Sequence, residues 1–190
     1  MIKLILLSFV FALVGFANLP KDEPTIQWST TRLTWDDFKG KMKKSAPYDA
    51  VTLSAVSNSF SGNNTSLNFE TLALFYLKGS KKKAKKQNHK LLNHEQGHFD
   101  ITELFARKLR KSLQEKKFKS YKTIGKDVDK IYDKNNLAWR KMQNLYDKET
   151  KHSENETAQA DWDANINNLL LDYKDYKTTT FTVDISYLNK

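Results

Sequence analysis

Cysteine is absent from this chain of 190 residues, and histidine is scarce, with only four residues. The lack of cysteine excludes disulfide bonds and thiolate metal sites. Any metal ion that the protein binds must therefore be held by His, Asp or Glu side chains. Beyond the first 17 residues, the sequence also has no apolar run long enough to cross a bilayer.

The N-terminus has the pattern of a secretory signal peptide. Met1-Ile2-Lys3 is a short basic start, and residues 4–16 form an apolar run. Gly15 and Ala17 are small residues at the spacing that signal peptidase requires, which predicts cleavage after Ala17. We expect residues 1–17 to be a signal peptide and residues 18–190 to form one domain, exported to the periplasm or the extracellular space. An uncleaved membrane anchor is the alternative.

Basic residues outnumber acidic ones, and the formal net charge is +10. Most lysines are dispersed, apart from the run formed by Lys81, Lys82, Lys83, Lys85 and Lys86. No nucleic-acid-binding motif accompanies them, so nucleic acid is not an expected partner. The charge instead fits peripheral contact with an anionic envelope surface. The lysine run is interpreted as the solvated start of a helix.

Two segments early in the chain show the alternation of β-strands. Residues 50–60 mix small and β-branched side chains, and residues 65–77 place Leu67, Phe69, Thr71, Ala73 and Phe75 on one face. The turn signal Gly62-Asn63-Asn64 lies between the two segments, which predicts a β-hairpin.

Apolar residues recur at helical spacing through most of the remaining sequence. We predict helices from Lys81, capped by Ser80, to about Lys117, from about Lys126 to Asp147 after an interruption at Gly125, and from about Asn155 to Tyr173. Residues 178–188 alternate again and predict a terminal strand. Strands followed mainly by helices indicate an α+β fold.

The most informative motif is His94-Glu95-Gln96-Gly97-His98. Residues four apart lie one above the other on a helix, so both imidazoles can face one zinc ion. Glu95 lies about 100° further round the helix, where it can reach a zinc-bound water without binding the metal. Zinc lowers the pKa of that water towards about 7, and Glu95 can then take its proton as the water attacks a peptide carbonyl.

A catalytic zinc ion needs a third protein ligand. Glu103 and Asp100 do not lie on the helical face of the two histidines, so the ligand must come from another element. His152 is the only histidine further along the chain and lies between two predicted helices. The carboxylates that remain as alternatives are those of Glu149, Glu154, Glu156 and Asp161.

Three segments resemble the bacterial family called domain of unknown function 922, described as predicted secreted zinc-dependent proteases. They are Leu33-Thr34-Trp35-Asp36-Asp37-Phe38-Lys39-Gly40, then Leu92-Asn93-His94-Glu95-Gln96-Gly97-His98-Phe99-Asp100-Ile101 with Ala106-Arg107, and Tyr146-Asp147-x-Glu149-Thr150-x-His152 followed by Gln159 and Trp162. The resemblance implies a zincin-like fold with one catalytic zinc ion, and it favours His152 as the third ligand.

The family usually has glycine after this histidine, where the present chain has Ser153. Glycine adopts positive φ angles more easily than serine, so the geometry of the ligand loop depends on this position.

Two neighbouring residues have candidate roles beside the zinc ion. Tyr146 can donate a hydrogen bond to the oxyanion that forms during attack, although packing in the core is its alternative. Asp147 can accept the second imidazole N–H of a ligand and so fix its tautomer, or it can belong to a turn. The strand at residues 67–77 is a candidate for pairing with an extended substrate, with an ordinary buried strand as the alternative.

The sequence thus predicts a secreted zinc-dependent endopeptidase that acts on a protein or peptide. A zinc-binding envelope or scaffold protein without catalytic activity is the alternative, and a binding protein with a vestigial motif is a third. The intact Glu95 favours the peptidase, because a purely structural zinc ion does not need a general base.

Overall fold

The computed structural model describes residues 11–12 and 23–189. The strands are β1 (Phe11–Ala12), β2 (Thr25–Gln27), β3 (Gly40–Lys41), β4 (Ala50–Val51), β5 (Ser54–Gly62), β6 (Ser66–Tyr76), β7 (Lys81–Lys82) and β8 (Thr180–Asp184). The α-helices are α1 (His89–Gln114), α2 (Ile124–Thr150) and α3 (Glu156–Asp172). The signal peptide predicted at residues 1–17 falls outside the described residues, apart from β1, and stays a prediction.

The larger sheet is built on the predicted hairpin. β5 and β6 pair antiparallel from Ser54 opposite Phe75 to Gly62 opposite Leu67. The other edge of β6 is covered by β2 near its C-terminal end and by β8 near its N-terminal end. The alternate residues that the sequence placed on one face of β6 are all buried: Leu67, Phe69, Thr71, Ala73 and Phe75. The hairpin prediction is therefore confirmed.

The smaller sheet contains the lysine run and corrects the prediction for it. β7, formed by Lys81 and Lys82, pairs parallel with β3 and antiparallel with β4. Lys83 then donates through its Nζ atom to the Ala46 carbonyl oxygen, at 2.8 Å. The first helix consequently begins at His89, where the Asn88 side chain accepts the Leu91 N–H at 2.9 Å. The helix start predicted at Lys81, with Ser80 as its cap, was wrong.

Helix α1 is the central element of the protein. It packs against β5 and β6 on one side and against α2 and α3 on the other. Sixteen of its 26 residues are buried, so little of its surface meets solvent. A helix enclosed in this way must satisfy its buried polar side chains from neighbouring elements.

Three charged side chains in the second half of α1 form a buried network. The Oε1 atom of Glu103 accepts hydrogen bonds from Arg107 Nε and Arg110 Nη1, each at 2.9 Å. Arg110 also donates to the Thr71 carbonyl oxygen in β6, at 2.8 and 3.0 Å. Arg107 donates to the Leu170 carbonyl oxygen in α3, at 2.6 Å. The network joins α1 to the sheet and to α3.

The α+β prediction is confirmed, with the strand-rich region first and the helices after it. α2 and α3 lie close to their predicted positions, and β8 lies within the predicted terminal strand. Gly125 does not interrupt a helix, since it is the second residue of α2. Among the described residues, no helix is both long enough and apolar enough to span a membrane.

Replacing Glu103 by glutamine should strongly destabilise the fold. Two buried guanidinium groups would lose the one carboxylate that pairs with them in the described part of the chain, which typically costs about 3–5 kcal/mol. Urea unfolding measures the loss. The control is Glu115→Gln, which removes an exposed pairing with Lys111 and should change the free energy of unfolding by under about 0.5 kcal/mol. Equal effects of the two substitutions would contradict the structural role of Glu103.

Candidate metal centre

The predicted site residues of α1 lie at the floor of a cleft of about 1040 Å³. His94 and Glu95 are 2 and 3 % exposed, and the side chain of His98 is 14 % exposed. The walls are formed by residues 47–54, by the end of α2 and by the loop after it. The helix therefore presents His94, Glu95 and His98 to one enclosed space, as their spacing predicts.

Asp147, in the last turn of α2, lies directly opposite the two histidines. Its Oδ1 atom is 3.1 Å from the Nε2 atoms of both His94 and His98. The two Nε2 atoms are themselves 3.2 Å apart. The same carboxylate oxygen is 3.1 Å from Nδ1 of His152. The structure thus brings the three predicted histidine ligands together around one carboxylate.

Glutamines occupy the far side of the two α1 histidines. Gln159 Oε1 lies 3.1 Å from His94 Nδ1, and Gln143 Oε1 lies 2.6 Å from His98 Nδ1. The amide of Gln159 is fixed because its nitrogen donates to Asp163 and to the Tyr146 hydroxyl. A glutamine oxygen requires a proton on Nδ1, so the neutral form of each ring has its lone pair on Nε2, which faces the cleft.

We predicted that Asp147 accepts the second N–H of a ligand ring. The glutamines take that place on His94 and His98, so the predicted role fits only His152, whose Nδ1 atom lies 3.1 Å from Asp147 Oδ1. Gln143 was missed at sequence level. It lies four residues before Asp147 on α2, so the pair repeats the spacing of His94 and His98 on α1.

Electrostatics favour the charged forms of Asp147 and His98. Partial burial would raise the pKa of Asp147, but hydrogen bonds from His94 and His98 outweigh that effect and hold the pKa below its usual range. Burial would likewise lower the pKa of His98, yet the hydrogen bond to Asp147 and the charge of Glu95 raise it. The carboxylate therefore adds negative charge where the Nε2 atoms converge.

Glu95 has one carboxylate oxygen in an unusual state. Its Oε2 atom is buried and has no hydrogen-bond partner among the described residues. The helix backbone at this point is fixed by the Thr52 hydroxyl, which donates to the Glu95 carbonyl oxygen at 3.1 Å. A buried carboxylate oxygen without a partner is costly, and such groups are retained mainly at functional sites.

His152 lies on a loop with three consecutive left-handed residues. The φ angles of Lys151, His152 and Ser153 are 49°, 53° and 80°. The loop therefore does need positive φ at the position where the family usually has glycine. The His152 side chain is 68 % exposed, so its position is held mainly by the loop and by its contact with Asp147.

The four carboxylates that the sequence left as alternative ligands do not contact the histidines. Glu149 accepts a hydrogen bond from Trp162 at 2.8 Å, and Glu156 pairs with Lys90. Asp161 is exposed on α3, and Glu154 is exposed at the cleft wall. None of these four side chains is hydrogen bonded to the histidines.

Tyr146 is fully buried beneath the site. Its ring stacks on His94 at 4.6 Å between centroids, and its hydroxyl donates to the His94 carbonyl oxygen at 3.0 Å. Burial raises the pKa of this phenol far above its usual range. Tyr146 does not line the cleft, so this placement favours packing over the predicted oxyanion role.

The strand expected to pair with substrate is also corrected. β6 has β5 along one edge and β2 and β8 along the other, which leaves little of either edge open. The strand that lines the cleft is β4, at the edge of the smaller sheet.

Replacing Ser153 by glycine should stabilise the protein by about 0.5–1 kcal/mol, because glycine tolerates the observed φ of 80° without strain. Thermal unfolding measures the change. Ser153→Ala is the control, since alanine keeps the Cβ atom and should therefore raise the stability of the protein very little. Destabilisation by glycine would show that the loop is not strained at this position.

Replacing Gly97 by alanine should destabilise the protein by about 1–3 kcal/mol. A Cβ atom there would lie 2.3 Å from the Tyr146 hydroxyl and 2.7 Å from its ring carbon Cζ. The control is Gly125→Ala in α2, where the added carbon meets no described atom within 4 Å beyond its chain neighbours and the adjacent helix backbone, and where helix propensity favours alanine. Urea unfolding should therefore show a lower free energy of unfolding for Gly97→Ala and a higher one for Gly125→Ala.

Comparison with known proteins gives one match. No curated protein and no solved structure matches the chain. Residues 78–153 match the profile of the family described as "Bacterial protein of unknown function (DUF922)". This segment contains His94, Glu95, His98, Asp147 and His152, so the chain resembles that family over the part that forms the candidate metal centre.

Proposed function

We propose that the protein is a zinc-dependent peptidase. The observation that carries the proposal is the Oε2 atom of Glu95, which is buried and has no hydrogen-bond partner in the described part of the chain. Glu95 lines the same cleft as His94 and His98, whose Nε2 atoms converge. A histidine cluster alone would fit any metal-binding role. A carboxylate that reaches the same cleft without hydrogen bonding to the rings fits a general base.

Each side chain has a separate role in this proposal. His94 and His98 hold the ion through Nε2, together with a third donor from the end of α2 or from the following loop. When bound, zinc supplies Lewis acidity, which lowers the pKa of a water towards about 7 and polarises a carbonyl. Glu95 accepts the proton of the attacking water and delivers it to the leaving amine. Gln143 and Gln159 hold the two rings in the required tautomer.

The shape of the cleft fits an extended peptide. All residues from 47 to 54 line it, and they run past the Glu95 backbone. The backbone groups of Asp49 and Leu53 bond towards Lys83 and Tyr76. Because direction alternates along a strand, we expect those of Ala50 and Thr52 to point the other way, away from β7. Such an edge can pair with a substrate backbone.

One observation favours the zinc-binding protein without catalytic activity. Asp147 and His152 both lie near the α1 histidines, so four protein side chains are available to one ion. Structural zinc sites fill all four positions in this way. A filled site has no use for Glu95, which is why we favour the peptidase.

Metal analysis combined with Glu95→Gln tests the proposal. We expect about one zinc ion per chain in both proteins, and cleavage of a fluorescence-quenched peptide library by the wild type only. The substitution should lower kcat/KM by at least about 100-fold, the usual contribution of a general base. Glu115→Gln, at the far end of α1, is the matched control and should keep full activity.

The outcomes separate the two candidate functions. Absence of zinc from the wild type would reject both. Stoichiometric zinc without peptide cleavage would favour the zinc-binding protein.

A further inference from the structure

The identity of the third metal ligand can be argued from the distances between donor atoms. Two ligands bound to one tetrahedral zinc ion, each at about 2.0–2.1 Å, have donor atoms about 3.3 Å apart. His94 Nε2, His98 Nε2 and Asp147 Oδ1 are separated by 3.1, 3.1 and 3.2 Å. These three atoms therefore form a nearly equilateral triangle with almost the dimensions of one face of a zinc tetrahedron.

Hydrogen bonds to Asp147 explain the two sides of this triangle that end at its Oδ1 atom, but not the side between the two Nε2 atoms. Asp147 can accept a proton from either ring, but the two Nε2 atoms have nothing to gain from a separation of 3.2 Å unless they share a proton or an ion. Because Gln143 and Gln159 favour protons on the Nδ1 atoms, each ring in its neutral form has its lone pair on Nε2, where a metal ion can bind. Two acceptors and a carboxylate in mutual contact are expected to attract a cation.

His152 is placed differently. Its Nδ1 atom is 3.1 Å from Asp147 Oδ1. A ring nitrogen of His152 lies within 4.8 Å of one of His94, but no hydrogen bond between His152 and His94 or His98 is present among the described residues. The ring centroids of His94 and His152 are 6.4 Å apart. Its side chain is mostly exposed on a left-handed loop, whereas Asp147 lies on a regular helix that packs against α1. Rigid helices hold metal ligands more accurately than loops do.

We propose that Asp147, and not His152, is the third protein ligand of the metal, and that His152 is a fourth donor the ion does not require. This inference rests on the proposed function only in that the site binds zinc. It replaces the assignment of His152 that the sequence favoured. A two-histidine, one-carboxylate set leaves a position open for water, as hydrolytic zinc sites need.

Zinc affinity of matched variants tests the assignment by competition with a chromogenic chelator. Asp147→Ala should weaken zinc binding by more than about 100-fold, beyond the 10–100-fold that loss of an outer partner typically costs. His152→Ala should weaken it by less than about tenfold. Asp161→Ala, which removes an exposed carboxylate of α3, is the control and should keep the wild-type affinity.

A second readout does not depend on enzymatic activity. With Co²⁺ in place of zinc, the visible absorption bands report the donor set. We expect them to change in Asp147→Asn, which preserves the shape of the side chain, and to persist in His152→Ala. Circular dichroism of the metal-free variants establishes that each is folded.

The possible results distinguish the inference from the proposed function. If the wild type binds no zinc, both fail. Suppose that the wild type binds zinc. A large loss of zinc affinity in His152→Ala, together with wild-type zinc affinity in Asp147→Ala, would overturn the assignment of Asp147 and leave the peptidase proposal standing. A large loss of zinc affinity in Asp147→Ala with a small loss in His152→Ala supports Asp147 as the third ligand, even if no peptide is cleaved.

Discussion

Burial of Arg110 is the constraint around which the rest of the protein is arranged. A guanidinium group without exposed surface needs both a counter-ion and acceptors for its remaining protons. Glu103 supplies the charge, and the Thr71 carbonyl oxygen in β6 accepts two hydrogen bonds. These demands fix the C-terminal half of α1 against the sheet. The N-terminal half, which carries the two histidines, is thereby held as part of one rigid helix.

The secondary structure could be predicted where it depends on the pattern of neighbouring residues in the sequence. Alternation in residues 65–77 was sufficient because β6 buries every second residue, and the spacing of apolar residues after residue 89 was sufficient because it persists along the whole of α1. The lysine run was misread because lysine is a good helix former and because the strand partners of Lys81 and Lys82 lie 30 to 41 residues upstream. Asn88, the actual helix cap, was visible in the sequence and is followed directly by the helix.

The candidate site was predicted in outline and corrected in detail. The spacing of His94 and His98 on a helix was enough to place both rings in one cleft. Which side of those rings Asp147 would face depends on how α2 crosses α1, and no local pattern contains that information. The same holds for Tyr146, whose ring lies on the helix backbone only because Gly97 has no side chain. Sequence reasoning identifies chemical groups more readily than it identifies their orientation.

The end of α2 at Thr150 has a consequence for the electrostatic potential in the cleft. Asp147 lies within the last turn of the helix, where the macrodipole is negative, and its carbonyl oxygen accepts the Lys151 and His152 N–H groups. A carboxylate at this end of a helix is disfavoured by about 0.3–1 kcal/mol when no cation is near. The helix field and the carboxylate therefore act in the same direction, and both favour a positive charge next to Asp147.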